Sequence, residues 1–517
     1  MAKIGKNILD NLTTGMYSDS KVIYREYIQN ACDQIDKAIN EGLISVQEGL
    51  IDIYFDIKKR YISIEDNATG VSTSKFIEDL GDIANSNKEI GKDKGFRGIG
   101  RLCGLAYCKT LVFTTSYKGE TVKSIMICDA KQMRDMLYDS KKYTIDEIWE
   151  RIVTFKTEEE DINAHYFRVE LININEENTD LLDEKKVREY LSFVAPVPYS
   201  NKFYLRNDIY NYTKEKNLKI DEYLIKINGA QIFKEYTTKL KDDSGNQLQN
   251  YDEIYKLKFE SFTNSKGELI AWMWYGLSRF EKQIPACNLM RGIRVRTGNI
   301  QIGENDVVQK LFKESRGNFY FVGEIFTLDK NLIPNSQRDY FNENPARIEF
   351  EDQLRIYFYD NLHKLYYDAN RIKNAYKKQE DYLKKVSEYE EKNNNNGFID
   401  EQDKITSKVA VEKAKKEAEN ATKTLKKYDE ITDDNPLYEV KQRIENKYNG
   451  EDLISKAENT NINENNKPKK DSYITNSLSK LSRNERKIVS KIFTIITDNS
   501  PEELAKKLID KITEELK

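Results

Sequence analysis

Three short segments near the start of the sequence carry side chains that could act on a bound ligand. The first covers residues 24–37 and places Glu26, Asn30 and Asp33 at positions i, i+4 and i+7, which lie on one face of a helix. Apolar residues flank this polar stripe: Ile23, Tyr27, Ile28, Ala31 and Ile35. Because a polar group is costly to bury unless something satisfies it, two interpretations are open. The stripe meets a ligand, metal ion or water, or it faces solvent on an amphipathic helix.

The second segment covers residues 65–71 and combines an acid with a turn of small residues. Asp66 stands at the end of an expected strand, and Ala68 and Gly70 follow it. Such an aspartate can accept a hydrogen bond from an exocyclic amine, and small residues let a planar ligand approach closely. An ordinary turn is the alternative interpretation.

The third segment, residues 95–102, is a glycine-rich loop that runs into a helical pattern. Its glycines are Gly95, Gly98 and Gly100. Backbone N–H groups in such a loop, and the start of the helix, can hold phosphates. The three segments follow one another at intervals of roughly 40 and 30 residues, and their order forms a joint signal that no single segment gives.

Composition excludes several classes of protein. The chain has 517 residues, 83 Lys and Arg against 87 Asp and Glu, and a formal charge of −4, so it lacks the strong positive field of a nucleic-acid coat protein. Its five cysteines include no C-x-x-C pair, and its two histidines leave no room for a zinc site or a histidine-based triad. No run of about 18 apolar residues predicts a membrane span. We expect a soluble, cytoplasmic protein without a disulfide framework.

The pattern along the chain predicts an α+β protein with helical C-terminal segments. Strand and helix patterns alternate over residues 1–178, and an acidic, Asn-rich connection starts near Asn173. Strand patterns return between residues 220 and 345, including the run at 269–275, and predict a second α+β domain over residues 179–348. A helical hairpin is expected over 349–448, a flexible linker over 449–471 and a helical segment over 472–517.

The hairpin prediction rests on two stretches with 3-4 spacing on either side of the turn at residues 393–397. The first has Ile372, Ala375, Gln379, Tyr382, Val386 and Tyr389, and the second has Val411, Ala414, Ala418, Ala421, Leu425 and Tyr428. Near the C-terminus, Ser500 is expected to cap the last helix, with Pro501 in its first turn and Glu503 completing a capping box.

The three segments together resemble the GHKL or Bergerat-fold ATPases, which include DNA gyrase B, the ninety-kilodalton heat-shock chaperones, histidine kinases, MutL and the MORC proteins. The stretches at residues 16–20 and 70–86 are similar to those of the chaperones in particular. The resemblance implies an N-terminal Bergerat-fold α/β sandwich that binds and hydrolyses ATP with Mg²⁺.

The resemblance also implies a role for each motif residue. Glu26 would be the general base that activates water, Asn30 would help to hold Mg²⁺, and Asp33 would support the nucleotide pocket. Asp66 would bind the adenine amino group, Gly70 would give room beside it, and the phosphates would lie on Gly95, Gly98 and Gly100. Two positions depart from the family pattern: Ala68 replaces a frequent glycine, and a threonine expected near residues 164–167 is not evident.

Further along the chain, residues 291–300 and 332–339 resemble the second, transducer domain of these proteins. By that resemblance, Arg338 would reach the γ-phosphate from outside the nucleotide domain. The alternative is an ion pair between Arg338 and Asp339, or another local carboxylate, on an exposed turn.

Other members of the superfamily fit less well. A histidine kinase needs a phosphoacceptor histidine before its ATPase domain, yet His165 and His363 both come later than the three motifs. A topoisomerase needs a cleavage module, and a MutL-type endonuclease needs a metal motif with histidine. We therefore expect a homodimeric ATP-driven clamp, chaperone-like or MORC-like, with an unknown protein client. The alternatives are an ATP-sensing scaffold that displays its helical tail, and a nucleic-acid clamp using the lysines at 467–470 and between 408 and 427.

Overall fold

A computed structural model describes residues 5–13, 19–81, 100–448, 473–478 and 480–517. The chain divides into two compact units, Met1–His363 and Lys364–Lys517. Each unit is described by itself.

The first unit is built on an eight-stranded mixed sheet. Its strands are β1 (Leu50–Asp56), β2 (Tyr61–Asp66), β3 (Cys108–Ser116), β4 (Val122–Asp129), β5 (Val153–Glu159), β6 (Tyr166–Ile174), β7 (Leu224–Ile227) and β8 (Ala230–Gln231). Their order is β5-β4-β3-β6-β2-β1-β7-β8, and β1 and β7 form the parallel pair. Because β7 and β8 belong to this sheet, the sheet includes residues beyond 178.

Helices of this part of the chain are α1 (Asn7–Thr13), α2 (Val22–Asn40), α3 (Thr73–Gly81), α4 (Ala130–Tyr138), α5 (Ile145–Ile152), α6 (Glu184–Val194) and α7 (Arg206–Glu215). Short 3-10 helices span Gly100–Ala106 and Glu176–Leu182. Burial alternates along β2, so Ile62 and Ile64 point into the core that also contains Ile28 and Ile35 of α2. The helix therefore buries its apolar residues against the sheet that carries Asp66.

A second sheet follows in the first unit. A two-stranded ribbon of β9 (Lys239–Asp242) and β10 (Gln249–Glu253) precedes β11 (Lys256–Thr263), β12 (Leu269–Leu277), β13 (Gly292–Thr297), β14 (Ile300–Ile302) and β15 (Val322–Thr327). These last five strands pair in the order β11-β12-β15-β13-β14. The strand expected at 269–275 is β12, and its Trp272 and Trp274 are fully buried. Helix α8 (Pro345–Tyr357) and a π-helical turn (Phe358–His363) end the unit.

The second unit is helical and contains the predicted hairpin. Its helices are α9 (Lys364–Asn394), α10 (Glu401–Lys426), α11 (Pro436–Lys447), α12 (Arg483–Asn499) and α13 (Glu502–Glu515), with a 3-10 helix at Ile474–Ser477. Tyr382 and Val386 of α9 pack with Val411 and Ala418 of α10. The Gln379 amide donates a 2.9 Å hydrogen bond to the Thr422 hydroxyl across the same pair of helices. The α+β fold class with a helical C-terminal region is thus confirmed.

Two details of the C-terminal segment differ from expectation or lie beyond description. The capping box expected at Ser500 is wrong, because α13 begins after Pro501, which has an extended ψ of 144° and gives no side-chain cap. A capping box does occur on α12, where Ser482 and Glu485 bond reciprocally. The linker expected at 449–471 falls outside the described residues. Within the described ranges, the helices are too short or too polar for any of them to cross a membrane.

Candidate functional site

The polar stripe of the first segment lies on α2 and is turned inward. Glu26 and Asp33 are only 8% and 9% exposed, and Asn30 between them is half-buried. Gln29, on the same side of the helix, is 1% exposed. A solvated amphipathic face would leave these side chains open to water, so that interpretation is wrong. The helix instead holds two carboxylates and two amides in a region that water hardly reaches.

The C-terminal part of the glycine-rich segment approaches the polar stripe of α2. Gly100 begins a 3-10 helix, and a Cβ atom added to it would lie 2.5 Å from Oε2 of Glu26. Tyr27 fixes the same turn to α2, because its hydroxyl donates to the Arg101 carbonyl at 3.0 Å and accepts from the Gly104 N–H at 3.1 Å. The structure therefore brings Gly100 and Glu26 together. Gly95 and Gly98 lie outside the described residues.

Asp66 stands at the last position of β2 and is 4% exposed. The backbone N–H of Ala68 donates to its Oδ1 at 3.1 Å, which is the local turn that an aspartate followed by small residues favours. The carboxylate is thus oriented by its own turn. A buried, oriented acceptor of this kind is suited to hold one donor of a ligand.

The turn that follows Asp66 is fixed against β3. Gly70 has a φ of +65°, and a Cβ atom at this position would lie 1.9 Å from the Ser116 carbonyl oxygen. The N–H of Val71 donates to the Thr115 hydroxyl at 2.9 Å. Glycine is therefore required at position 70 by the chain itself, since both the backbone conformation and the close approach exclude a side chain.

His165 also contacts this turn, although none of the three motifs includes it. Its Nδ1 lies 2.9 Å from the carbonyl oxygen of Ala68. His165 falls in the stretch where the threonine of the family pattern is not evident. The contact joins residues far apart in the sequence, and the rarity of histidine in this chain was the only signal that could have drawn attention to it.

Arg338 reaches the site from the second sheet's side of the unit. Its Nε lies 3.4 Å from Oε1 of Glu26, and the two side chains are 11% and 9% exposed. The neighbouring Arg25 donates to the Gln337 carbonyl at 3.0 Å, so the segment packs directly on α2. Asp339 instead accepts from the Asn335 amide. Arg338 therefore lies largely buried and pairs with a carboxylate that is distant in the sequence, unlike the exposed local pair of the alternative interpretation.

Some buried polar atoms in the site make no hydrogen bond. Among the described residues, these include the two amide atoms of Gln29, whereas Oε1 of Glu26 has ion-pair contacts with Arg338 and Arg25. Buried polar atoms are nearly always hydrogen-bonded, so this part of α2 fits a polar ligand or its water. Burial and the charge of Glu26 raise the pKa of the nearby Cys103 thiol well above its ordinary value, which disfavours the reactive thiolate.

A second buried group of charges lies in the five-stranded sheet and was not foreseen. Glu324 is buried between Lys234 and Arg296, with its Oε2 3.2 Å from the lysine Nζ. Burial alone would raise the pKa of Glu324, but the two cations lower it to about 2. Burial and repulsion from Arg296 lower the pKa of Lys234 to about 7. Side chains that hydrogen-bond within this group are Tyr199, Tyr236, Trp274 and Asn299.

The part of the chain that forms this site is similar to a known protein family. Residues 17–158 match the family described as histidine kinase-, DNA gyrase B- and HSP90-like ATPase. This stretch contains Glu26, Asp66, Gly100 and the sheet strands β1 to β4. It therefore contains all three motifs and the helix that carries the polar stripe.

Curated relatives share the name chaperone protein HtpG. The relative from Wolinella succinogenes is 26% identical over 284 residues, which cover 52% of this chain and 40% of the relative. The relative from Fusobacterium nucleatum is 23% identical over 370 residues, covering 66% of this chain and 52% of the relative. A third, from Wigglesworthia glossinidia brevipalpis, is 32% identical over 134 residues. The chain thus spans about half or less of the length of these relatives. Residues 17–158 of its first unit are thus similar to the HSP90-like ATPases of the GHKL superfamily.

Proposed function

We propose that the protein hydrolyses ATP and that Glu26 is the general base. The observation that carries this proposal is the position of Glu26, buried on α2, beside Gly100 and 3.4 Å from Arg338. A carboxylate in such a place can accept a proton from water, and a nearby guanidinium can stabilise charge that develops on a phosphate. The family match of residues 17–158 supports the choice of ATP.

Each remaining motif residue has a task in this proposal. Asp66 accepts a hydrogen bond from the adenine amino group, and Gly70 keeps its turn close to β3. Gly95, Gly98 and Gly100 bind phosphate oxygens through their N–H groups, and Asp33 supports the pocket from α2. Arg338 pairs with phosphate through its planar, permanently charged fork.

Asn30 helps to hold Mg²⁺, which when bound neutralises phosphate charge. The carboxamide is half-buried one turn from Glu26, and an amide oxygen is a ligand that Mg²⁺ accepts alongside phosphates and water. Among the described residues, no cluster of three or more His, Cys, Asp or Glu side chains is placed to hold a metal ion. A magnesium site that relies on substrate phosphates is consistent with this finding.

Nucleotide binding drives a conformational change in a homodimer, so that the protein acts as a chaperone-like or MORC-like clamp on a protein client in the cytoplasm. The name of the HtpG relatives supports the chaperone-like form. Light scattering and crosslinking of Glu26→Ala with and without ATP test the dimer, because this variant should retain ATP. A monomer under both conditions would instead favour the ATP-sensing scaffold. Of the lysines on which a nucleic-acid clamp depends, those at 467–470 lie outside the described residues, and those between 408 and 427 lie on α10 or directly after it.

A further inference from the structure

We infer that His165 is a positioning residue for base recognition: it holds the turn that orients Asp66 and thereby favours a purine with a 6-amino group. This inference rests on the proposed binding of ATP and adds a residue that the three motifs do not contain. It starts from the 2.9 Å contact between His165 Nδ1 and the Ala68 carbonyl oxygen.

The chemistry of this contact fixes which atom donates. A backbone carbonyl oxygen can only accept a hydrogen bond, so Nδ1 of His165 must carry the proton. Nδ1 carries a proton both in this neutral tautomer and in the imidazolium form, so the bond persists in either state. His165 therefore acts on the turn as a fixed donor.

Ala68 connects His165 to Asp66. Its N–H donates to Oδ1 of Asp66 at 3.1 Å, and its carbonyl accepts from His165. Ala68 is thus held on both sides by hydrogen bonds that run from the carboxylate to the imidazole. If the bond to His165 is lost, the Ala68 carbonyl is released, and the hydrogen bond from the Ala68 N–H to Asp66 weakens.

Strand pairing places His165 beside the turn. His165 immediately precedes β6, and Phe167 of β6 pairs with Asp66 of β2. The Thr115 hydroxyl donates to the Tyr166 carbonyl at 2.8 Å and fixes the start of β6 from the other side. The position of His165 therefore follows from the register of the sheet.

Other hydrogen bonds hold the residues on either side of Ala68. The Leu50 N–H donates to Oδ1 of Asn67 at 2.8 Å, and the Val71 N–H donates to the Thr115 hydroxyl at 2.9 Å. Among the described residues, the bond from His165 is the one that holds the Ala68 carbonyl. Its removal should loosen the Ala68 peptide between these two anchored positions.

Binding of two nucleotides to matched variants tests the inference. ATP carries the 6-amino group, and inosine triphosphate has a carbonyl oxygen in its place. His165→Ala should weaken ATP binding about 5- to 10-fold, the effect of one hydrogen bond, and change inosine triphosphate binding less than about 2-fold. The rate of hydrolysis per bound ATP should stay at the parental value, because the phosphate end is untouched.

Two further variants separate positioning from packing. His165→Asn keeps an N–H donor close to the place of Nδ1 and should restore the preference for ATP. His165→Gln is polar and of similar size but places its amide one bond further out, so it should behave like His165→Ala. If His165→Ala does not fold, these two variants still decide, since equal preferences in Asn and Gln variants would overturn the inference.

Failure of the inference can be told apart from failure of the proposed function. If the parental protein binds neither nucleotide, the proposed function fails and the inference fails with it. If the parental protein prefers ATP, and Asp66→Asn removes that preference while His165→Ala keeps it, the inference alone is overturned. Equal weakening of both nucleotides by His165→Ala would also overturn it, because a merely structural role affects them alike.

Discussion

Arg338 and Glu26 form a nearly buried ion pair, with the arginine Nε 3.4 Å from Oε1 of the glutamate. The glutamate lies on α2 beneath the first sheet, and the arginine lies in the segment after β15 of the second sheet. Arg25 Nε also lies 3.6 Å from the same oxygen, so the nearly buried Glu26 carboxylate is paired with two arginines. The position of Glu26 in the site therefore depends on both parts of the first unit.

We expect Arg338→Ala to lower ATP turnover by at least about 10-fold while ATP affinity stays nearly unchanged, because the arginine acts on charge that develops during phosphoryl transfer. Arg338→Lys should restore little, since an ammonium lacks the planar fork. Phosphate release and calorimetry measure the two quantities. Arg316→Ala, which removes an exposed arginine paired with Glu314, is the control and should change neither. Lost affinity with unchanged turnover per bound ATP would point to a ground-state contact.

Glu26→Ala should bind ATP and hydrolyse it about 10²-fold or more slowly, because it removes the proton acceptor and leaves the ground-state contacts. Single-turnover hydrolysis with saturating ATP measures this rate. Glu41→Ala is the control, since Glu41 follows the same helix and pairs with Lys37 on the surface. Hydrolysis at the parental rate in Glu26→Ala would mean that another group is the base.

Gly100→Ala should slow hydrolysis several-fold with little change in the free energy of unfolding. The added Cβ would lie 2.5 Å from Oε2 of Glu26, and the flexible end of that side chain must move away. Displacing a catalytic group by a fraction of an ångström slows the reaction but changes the free energy of unfolding little. Gly245→Ala is the control, because a Cβ atom there meets no neighbour within 4 Å. Unchanged hydrolysis in Gly100→Ala would show that the position of the Glu26 carboxylate is not critical.

Glu324→Gln should destabilise the protein at neutral pH by about 3 kcal/mol, because it leaves Arg296 and Lys234 buried without their carboxylate. The two cations hold the pKa of Glu324 at about 2, below its unfolded value of 4.5. The stabilisation is therefore fully present above pH 4.5 and is lost as the pH falls toward 2.

Urea unfolding at several pH values measures this effect. The stability difference between the parental protein and Glu324→Gln should shrink as the pH falls below about 5. Glu215→Gln, at the exposed end of α7, should show no such dependence. A difference that grows as the pH falls would contradict the lowered pKa.

Local patterns predicted much of the fold and the site. The polar stripe on α2, the acid at the end of β2 and the two helices of the hairpin all follow from periodicity within a short stretch of sequence. Their partners lie far away in the chain and could not be predicted from such patterns. The pairing of β7 with β1, the contact of His165 with Ala68 and the burial of Glu324 between two cations depend on tertiary packing.

The ion-pair partner of Arg338 also could not be predicted from the local sequence. Its sequence neighbours allowed a local pair with Asp339 as readily as a distant contact, because both carboxylates have the same charge. Only the packing of the segment on α2, through Arg25 and the Gln337 carbonyl, decides for Glu26. The failed cap at Ser500 likewise reflects Pro501, whose own conformation sets the start of α13.

Calorimetric titration of Mg·ATP into the parental protein and into Asp66→Asn tests the central claim most directly. The substitution keeps the size of the side chain and replaces one of the two acceptor oxygens with an NH2 group, which donates and cannot accept from the adenine amino group. We predict that the parental protein binds Mg·ATP and that Asp66→Asn, with an unchanged unfolding transition, binds it at least about 10-fold more weakly. Equal affinity in the two proteins, or no binding by the parental protein, would contradict the assignment of this site.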